Sequence, residues 1–381
     1  MRYYIIVGEA SGDVHGSKLM EGLKLGDPNA EFRFWGGDRM AAVGGRENMV
    51  YHYRDNAFMG FVEVLKHLGT INRRLEECKN DIKIFNPDVV ILIDYAGFNL
   101  RIAKFAKKAG IKTFYYIAPK VWAWNASRVK KIRRYVDELF VILSFEVDYF
   151  KKRGVNAHYL GNPIIDEVKQ RVANADVEGY KHKYGLDKPF KGPYTIALLA
   201  GSRQQEIDYN LPFMISLANT MPDSRFILAG VSWLDNSLYE KYLTKSIGNI
   251  LRVTDFTFET LLVADAAVVT SGTATLETAL VGTPEVVVYR CAPLTFALGR
   301  RVVRVKYLSL ANLIFDRACL DEYLQENMTI KKVKNGLENI LNKGERREQL
   351  LSDYAKLKTI IGESGSSYRV ATEMIKILNK N

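Results

Sequence analysis

A turn of small residues between an apolar run and a helix-forming segment has the most suggestive chemistry in this sequence. Residues 266–270 are apolar or small, and Ser271-Gly272-Thr273 follows them directly. Because this turn has little side-chain bulk and carries two hydroxyls, backbone N–H groups can approach an anion at the positive end of the next helix. Thr275 lies in the first turn of that helix. Glu277 lies about one helical turn further in, where a carboxylate can bind a ribose. The pattern indicates a nucleotide diphosphate site.

The same turn has a simpler interpretation. An ordinary connection from a strand to a helix, with a Ser or Thr N-cap, produces a similar run of residues. The motif alone leaves both interpretations open, so other parts of the chain must decide between them.

A second group of candidate residues follows the first apolar run of the chain. Ser11, Gly12, Asp13 and His15 come directly after it. Ligands of doubly wound sheets bind at the carboxyl ends of strands, so these residues are site candidates on geometry. The block 8–16 matches neither G-x-G-x-x-G nor a Walker A loop, which disfavours a dinucleotide or ATP. A lone histidine near a helix start is more often structural than catalytic.

The elements that must position these residues alternate short apolar runs with amphipathic segments, as in parallel βαβ units. The first series has predicted strands at 3–7, 31–35, 88–93, 112–117 and 138–143, and helices at 13–25, 62–85 and 98–109. The second series has predicted strands at 194–200, 225–230, 249–253, 266–270 and 285–289, and helices at 204–220, 257–263 and 273–281. The predicted fold class is α/β, with two Rossmann-like, doubly wound lobes.

The turn Gly161-Asn162-Pro163 and the polar segment after it mark the predicted boundary between the lobes. The first lobe is then 1–164 and the second 165–354. The remaining helices, from about residue 355 to the end, either pack back on the first lobe or exchange with a partner chain in a homodimer.

Composition restricts the class of protein. The chain has 381 residues, too many for one ordinary core, and a net charge of +11 that favours an acidic partner. The sequence has no RNA-binding motif, zinc finger or Arg-rich arm, which disfavours nucleic acid. No apolar run approaches the ~18 residues of a membrane span, and residues 1–9 are predicted as a strand, so we expect a cytosolic protein. The three separated cysteines indicate neither a disulfide framework nor a zinc site.

Several separated blocks, taken in order, give the chain a resemblance to a known family. They are 8–16, Gly36-Gly37-Asp38-Arg39-Met40, 59–65, 119–124, Gly161-Asn162-Pro163, 199–207 and 271–277. Up to about Gln325, the chain resembles the lipid-A-disaccharide synthases, glycosyltransferases of family 19. The resemblance implies the GT-B fold, in which two Rossmann-like lobes face each other across a cleft. It also implies a UDP-sugar site mainly in the second lobe.

The resemblance implies a defined reaction in lipid A (lipopolysaccharide) biosynthesis. The 2,3-diacylglucosamine group is transferred from UDP-2,3-diacylglucosamine to 2,3-diacylglucosamine 1-phosphate (lipid X). The products are UDP and a β-1,6-linked disaccharide 1-phosphate, with inversion at the anomeric carbon. Such a transfer needs a base for the acceptor hydroxyl and positive charge for the departing UDP. The UDP-sugar is a substrate, and no cofactor is expected.

The resemblance directs attention to Asp88 and Asp94 as the base. Asp94 directly follows an apolar strand and should reach the ligand-binding edge, whereas Asp88 stands at the opposite end. The chain departs from many family members, which have an aspartate where it has Gly97. Asp13 and His15 therefore remain rival candidates.

Arg203, with Ser202 before it, is the candidate diphosphate clamp. Its planar fork suits phosphate oxygens, and a solvated arginine at a helix start would be disfavoured by the helix dipole. Asn312 and Gln325 match donor-site positions of the family, although Ala311 replaces the usual proline. No D-x-D triplet occurs in the sequence, so no metal site is expected.

Two stretches combine basic residues with apolar or aromatic ones, at 120–135 and 298–307. Each is either a solvated face or a contact with an anionic lipid surface. An acylated substrate favours peripheral contact with the inner face of a Gram-negative inner membrane. Residues 58–65 either line an acyl groove or form a core helix. Two other functions remain open: a UDP-sugar epimerase on a similar two-lobed fold, and a noncatalytic nucleotide-sugar or membrane-binding module.

Overall fold

A parallel sheet of seven strands organises the first part of the chain. The structure is a computed structural model that describes residues 1–56, 68–122, 126–188, 190, 192–292, 296 and 305–380. The strands are β1 (Arg2–Ile6), β2 (Glu31–Gly36), β3 (Met49–His52), β4 (Val89–Ile93), β5 (Lys112–Tyr116), β6 (Glu138–Val141) and β7 (Ala157–Tyr159). Their order is β3-β2-β1-β4-β5-β6-β7. Every residue of β4 is buried, because helices cover both faces of a parallel sheet.

The helices of this unit connect successive strands or follow them. They are α1 (Ala10–Gly26), α2 (Asp38–Gly44), α3 (Leu68–Phe85), α4 (Ala96–Lys108), α5 (Arg128–Tyr135) and α6 (Ser144–Lys151). The predicted helix 62–85 is thus described from Leu68 onward, and its first residues lie outside the described part of the chain.

A second parallel sheet organises the rest of the chain, with the order β10-β9-β8-β11-β12-β13. Its strands are β8 (Thr195–Leu199), β9 (Arg225–Gly230), β10 (Ile250–Thr254), β11 (Ala266–Thr270), β12 (Glu285–Tyr289) and β13 (Glu322–Leu324). Its helices are α7 (Ile164–Ala173), α8 (Val177–Tyr184), α9 (Gln204–Asn219), α10 (Asn236–Leu243), α11 (Thr257–Val263), α12 (Thr273–Val281), α13 (Leu310–Phe315), α14 (Ile330–Leu341) and α15 (Glu345–Ile361). The two doubly wound, Rossmann-like lobes predicted from the sequence are confirmed.

The chain crosses between the two units twice. One unit is Met1–Pro163 with Glu363–Asn381, and the other is Ile164–Gly362. The first crossing lies one residue from the predicted boundary. The second lies eight residues beyond the predicted end of the second lobe, because α15 packs its buried Leu357 and Ile361 into the core of that lobe.

The C-terminal helix α16 (Ser366–Asn379) packs on α1 of the same chain. Two glycines of α1 permit the close approach. A Cβ added at Gly22 would lie 2.8 Å from the Cβ of Ala371, and one at Gly26 would lie 2.6 Å from Ile375 Cδ1. The Tyr368 hydroxyl also donates to Glu21 Oε2 at 2.7 Å. Of the two alternatives that the sequence leaves open, this is packing on the first lobe.

Candidate functional site

Strand order reverses direction once in each sheet. In the first sheet this topological switch point lies between β1 and β4, and in the second between β8 and β11. Open α/β sheets bind ligands outside the carboxyl ends of strands at such points. Residues 8–12 and Asp94 follow the first pair, and Gly201-Ser202-Arg203 and Ser271-Gly272-Thr273 follow the second. The structure thus places most of the predicted site residues at these two edges.

Asp94 directly follows β4 and has an unusual backbone conformation. Asp94 and Tyr95 both have positive φ, at 45° and 47°. Left-handed backbone at residues other than glycine is uncommon and costs free energy, and it often marks a functional position. The backbone carbonyl of Asp94 accepts hydrogen bonds from Asn99 Nδ2, at 2.8 Å, and from the Tyr115 hydroxyl. These two bonds fix the turn and leave the carboxylate for other partners.

The environment of the Asp94 carboxylate favours a base. Burial, followed by the negative charge of Glu9, raises the pKa of Asp94 above its ordinary value. The positive charges of Lys120 and Arg128 act in the opposite direction. A carboxylate with a raised pKa accepts a proton more readily, which is what general base catalysis requires.

Asp88 does not belong to this site. It precedes β4, at the opposite end of the strand from Asp94, and its Oδ2 accepts the backbone N–H of Arg2 at 2.7 Å. The Asp88 backbone N–H in turn donates to the Arg2 carbonyl at 2.9 Å. Asp88 therefore aligns the start of β1 beside β4, and its assignment as a catalytic candidate is wrong.

Asp13 is also a structural residue. Its carboxylate is buried and accepts three backbone N–H groups, from Gly37 at 2.7 Å, Arg39 at 3.1 Å and Met40 at 3.1 Å. These groups belong to the first turn of α2 and the residue before it, so Asp13 caps that helix from α1. The assignment of Asp13 as a base is therefore wrong, because its oxygens are engaged by the backbone.

The other residues after β1 differ among themselves. Burial lowers the pKa of His15 to about 4, so its imidazole is neutral at pH 7 and a weak base. Ser11 is exposed and donates its hydroxyl to Glu9 Oε1 at 2.5 Å. Gly12 is buried, and a Cβ there would lie 2.9 Å from Val7 Cβ. Of the candidates that follow β1, Ser11 is thus the exposed one, and its hydroxyl is paired with Glu9.

Glu146 is a notable residue of this region that sequence reasoning missed. It is 1% exposed, and its carboxylate accepts from the Trp122 indole N–H at 2.8 Å and from the Leu143 N–H at 3.1 Å. Burial raises the pKa of Glu146 to about 7. Glu146 caps α6 and also holds the segment after β5. Glu146 is the third residue of α6, a position typical of a capping box, but no helix was predicted here and nothing in the local sequence indicates the tryptophan contact.

In the second lobe, Ser271-Gly272-Thr273 lies at the start of α12, as predicted. The Ser271 N–H donates to the Val288 carbonyl at 3.0 Å, while Gly272 and Thr273 are exposed. A Cβ added at Gly272 would meet no described atom within 4 Å. The space next to this turn is therefore open to a ligand, and Gly272 is not required there by packing.

The two side chains further along α12 differ in what they can reach. Thr275 is buried and donates its hydroxyl to the Gly272 carbonyl at 2.9 Å, so it stabilises the turn and is not a ligand-binding hydroxyl as predicted. Glu277 is half-buried. Burial raises the pKa of Glu277 to about 7, with Glu167 of α7 adding to the effect and Arg171 opposing it.

Arg203 and Ser202 follow β8 at the switch point. The Arg203 guanidinium is 74% exposed, and its Nη1 donates to Glu206 Oε1 at 2.8 Å. Glu206 Oε2 accepts the Ser202 N–H at 2.9 Å. Trp233, 68% exposed after β9, donates its indole N–H to the Ser202 carbonyl at 3.1 Å. The loop is thus held by Glu206 and Trp233, with the guanidinium at its surface.

Asn312 cannot contact a ligand through its side chain, contrary to the prediction. Its amide is fully buried and its Oδ1 accepts from the backbone N–H groups of Cys319 and Leu320, each at 2.8 Å. Its Nδ2 donates to the Leu320 carbonyl at 2.9 Å and to Glu322 Oε1 at 2.8 Å. Asn312 therefore holds the connection from α13 to β13.

Gln325 lies beside the carboxyl end of β12. It has φ of 49°, and its Nε2 donates to Cys291 Sγ at 3.1 Å. Arg290 donates to the Gln325 carbonyl at 3.4 Å, and its own N–H donates to Asn210 Oδ1 at 2.8 Å. Gln325 is at the same sheet edge as Arg203, as expected, with its amide bonded to a thiol.

The described residues contain no group of three or more His, Cys, Asp or Glu side chains placed to hold a metal ion. None of the helices in this part of the chain is both long and apolar enough to cross a membrane.

The basic stretches are described in part. Helix α5 buries Val129 and Ile132 and exposes four basic side chains, Lys130, Lys131, Arg133 and Arg134. Trp124, the proposed acyl-groove segment 58–65 and residues 298–304 lie outside the described residues.

Comparison with known proteins places the whole chain beside one family. The model of the family described as lipid-A-disaccharide synthetase matches residues 3–374. A lipid-A-disaccharide synthase of Geobacter metallireducens is 35% identical over 384 residues, covering 100% of this chain and 98% of the relative. One from Myxococcus xanthus is 34% identical over 381 residues, covering 99% and 97%. One from Coxiella burnetii is 34% identical over 372 residues, covering 96% of each.

Solved structures with a similar fold include UDP-sugar enzymes. A UDP-GlcNAc 2-epimerase from Neisseria meningitidis, bound to UDP-GlcNAc, has a TM-score of 0.68 at 10% identity and covers 100% of both chains. A second, from Methanocaldococcus jannaschii, has a TM-score of 0.60 at 15% identity, again over 100% of both chains. At this identity the likeness concerns the fold, which is of the GT-B type.

Proposed function

The chain belongs to the lipid-A-disaccharide synthase family and is a glycosyltransferase of lipid A biosynthesis, and from this premise we propose how its residues divide the reaction. The donor is UDP-2,3-diacylglucosamine and the acceptor is 2,3-diacylglucosamine 1-phosphate. The first lobe supplies the base that activates the acceptor, and the second binds the UDP group. The observation that carries this division is the carboxylate of Asp94 at the switch point of the first sheet, on a left-handed turn and with its pKa raised by burial and by Glu9.

Asp94 is the proposed general base. It takes the proton from the 6-hydroxyl of the acceptor as the oxygen attacks the anomeric carbon of the donor, and the bond from that carbon to the UDP oxygen breaks. Burial and the charge of Glu9 raise its pKa, which increases its proton affinity at neutral pH. The fixed left-handed turn reduces the freedom of the carboxylate, so its orientation is set before the substrate arrives.

Gly97 does not take part in this assignment. It is exposed in the first turn of α4, and a Cβ added there would meet no described atom within 4 Å. The chain thus has room for the aspartate that many family members carry at this position. Because that carboxylate is absent here, the proposal assigns proton transfer to Asp94 alone.

The donor diphosphate is proposed to bind at the second edge. The exposed Ser271-Gly272-Thr273 turn offers backbone N–H groups at the start of α12, and Arg203 offers a guanidinium fork. Glu277 accepts the ribose hydroxyls. Positive charge and N–H groups at this edge stabilise the departing UDP, a role that needs no proton transfer.

An acylated substrate must be taken from a membrane, and we propose that α5 contacts that surface. Its exposed basic side chains attract anionic lipid headgroups, while Val129 and Ile132 keep the helix attached to the first lobe. This contact is peripheral and on the cytoplasmic face of the inner membrane. Binding to vesicles with and without anionic lipid measures it directly.

Release of UDP by the purified protein tests the proposed reaction. The donor is supplied with and without 2,3-diacylglucosamine 1-phosphate, in the presence of EDTA. Acceptor-dependent release, with the disaccharide 1-phosphate as co-product, supports the transferase. UDP formed without acceptor, or epimerised donor, would instead indicate the UDP-sugar epimerase that the shared fold allows. Donor binding without any turnover would indicate a noncatalytic binding module.

A further inference from the structure

Two cations lie at the ligand edge of the first lobe without a part in proton transfer, Lys120 and Arg128. Strand β5 pairs with β4, with Ile93 opposite Tyr116, and the Asp94 N–H donates to the Tyr116 carbonyl at 3.2 Å. The chain that leaves β5 therefore starts beside Asp94. Lys120 lies on that segment, and Arg128 opens α5.

The backbone around Lys120 is fixed by α6. The carbonyl of the next residue, Val121, accepts the Tyr149 hydroxyl at 3.2 Å, and the Trp122 indole donates to Glu146 at 2.8 Å. Val121 is buried, whereas Lys120 is exposed. Among the described residues, no carboxylate forms an ion pair with its ammonium group. Lys120 is thus an exposed cation on a positioned backbone.

These charges oppose the chemistry proposed for Asp94. A cation near a carboxylate favours its ionised form and makes it a weaker base. Lys120 and Arg128 both act on Asp94 in this direction. Lys120 acts in the same direction on the buried carboxyl of Glu146. The segment that starts beside Asp94 thus brings positive charge to this edge, where it can bind an anionic group of the substrate.

We propose that Lys120 and Arg128 form the binding subsite for the phosphate group of the acceptor. The inference rests on the proposed function, in which the acceptor is a sugar 1-phosphate whose hydroxyl reacts at Asp94. The acceptor's phosphate and hydroxyl belong to one sugar ring, so cations close to the base can hold one while the base meets the other. An ammonium point charge and a planar guanidinium fork are both suited to a phosphomonoester.

Kinetics with two acceptors test the subsite. Lys120→Gln is compared with the unmodified enzyme on 2,3-diacylglucosamine 1-phosphate and on the same acceptor without its phosphate. Loss of a charged hydrogen bond is expected to raise KM for the phosphorylated acceptor roughly 10- to 100-fold. The donor KM and the KM for the phosphate-free acceptor are expected to stay within about twofold. Arg128→Gln is expected to act in the same direction.

Lys104→Gln is the matched control, because Lys104 is an exposed lysine on α4 in the same lobe. It removes the same charge and should change neither KM. Thermal melting of each variant checks that the fold is kept. An equal loss on both acceptors with Lys120→Gln would overturn the subsite. Absence of acceptor-dependent UDP release in the unmodified enzyme would instead overturn the proposed function.

A second measurement applies if the phosphate-free acceptor turns over too slowly to measure. Glucosamine 1-phosphate is added as a competitor of the acceptor, and its inhibition constant is determined for each variant. Weaker inhibition in Lys120→Gln, with no change in Lys104→Gln, supports the phosphate subsite. Unchanged inhibition in Lys120→Gln would contradict it.

Discussion

The two lobes have parallel sheets of the same kind, but different types of residue follow the central strands at their switch points. The edge of the first lobe uses charged side chains and left-handed backbone at Asp94, Tyr95 and Ile117, none of which is glycine. The edge of the second also has left-handed residues other than glycine, Asp255 and Gln325, but adds the small-residue turn after β11 and a glycine with φ of 114°, Gly201, before Arg203. The difference lies in the exposed small-residue turn of the second edge and the charged side chains of the first.

This difference matches the two tasks of a glycosyl transfer. The proposed proton abstraction needs one carboxylate in a fixed place, and the left-handed turn at Asp94 is held by two partly buried hydrogen bonds. Binding a diphosphate needs several N–H donors at short range, which bulky side chains would obstruct. The comparison implies that substitutions at the first edge should change kcat, and substitutions at the second should change donor affinity.

Asp94→Asn is the strongest way to break this comparison. The amide keeps the shape and tolerates left-handed backbone, but it cannot accept the proton, so kcat should fall by roughly 10²- to 10⁴-fold. UDP affinity, measured by calorimetric titration, should be unchanged. Asp88→Asn is the matched control, because Asp88 lies at the other end of β4, and it should keep its activity. A kcat within tenfold of the unmodified enzyme would remove Asp94 from its role.

The raised pKa of Glu146 predicts how this residue makes the stability of the first lobe depend on pH. Its pKa is raised by burial from 4.5 to about 7, so between these values the folded state binds more protons than the unfolded state. The contribution of Glu146 to the free energy of unfolding should therefore fall as pH rises through this window, by up to about 3 kcal/mol, and level off above it. His15, whose pKa is lowered to about 4, contributes with the opposite sign up to about pH 6.5, so the share of Glu146 is the difference between the unmodified protein and Glu146→Gln. Denaturant unfolding at pH 5 and pH 8 measures the difference.

Glu146→Gln should lose the share of this fall that Glu146 contributes, because an amide does not titrate in the window, whereas Glu277 of the second lobe still does. The exposed Glu76 on α3 provides a control, and Glu76→Gln should keep the pH dependence of the unmodified protein. If Glu146→Gln retained the full fall, another buried carboxyl would be its source.

Arg203→Gln tests whether the guanidinium at the edge of the second lobe contributes to UDP binding. Loss of a charge-assisted contact to the diphosphate should weaken UDP binding roughly 10- to 100-fold and reduce its dependence on salt. Lys245 is exposed just after α10. Lys245→Gln removes the same charge and should leave UDP affinity unchanged. Equal UDP affinity in Arg203→Gln and the unmodified enzyme would show that the guanidinium serves only its pair with Glu206.

Alanine substitution of Gly272 and of Gly8 should give the smallest effects. The first should change UDP affinity and the second should change stability. At Gly272 the φ of 168° suits any residue and the added methyl group meets no described atom, so stability should stay within about 0.5 kcal/mol. UDP affinity should nevertheless fall, by less than about tenfold, because the methyl group occupies ligand space.

Gly8→Ala is the counterpart in the first lobe. Its Cβ would overlap the ring of Tyr95, so it should destabilise the protein by about 1–3 kcal/mol and leave UDP affinity unchanged. Thermal melting and UDP titration of both variants make the comparison. A stability loss at Gly272 larger than that at Gly8 would contradict the assignment of the two edges.

Much of the fold was predictable because it depends on local pattern. The buried strands β1, β4, β8 and β11 are short apolar runs between turn residues, and their alternation with helices dictates parallel pairing. The switch points follow from that topology, and with them the placement of Asp94 and Ser271. Residues predicted from their place at the carboxyl end of a central strand were therefore placed correctly.

The predictions that were wrong concern polar side chains whose partners are distant in sequence. Asp13 caps a helix 24 residues away, and Asp88 bonds to a backbone 86 residues away. The side chain of Asn312 bonds to the segment that leads into β13, and this segment is in place only when β13 pairs with β12. Nothing in the local sequence distinguishes such a residue from one that faces a ligand.

The sequence by itself determined the two doubly wound lobes, the sheet edges at their switch points and the family to which the chain belongs. Tertiary structure decided which polar groups at those edges are occupied, that α16 returns to α1, and that Glu146 is buried against Trp122. The physical reason is one of range. Apolar periodicity and turn chemistry act over a few residues, whereas the burial and pairing of a polar group depend on which segments meet after the chain has folded.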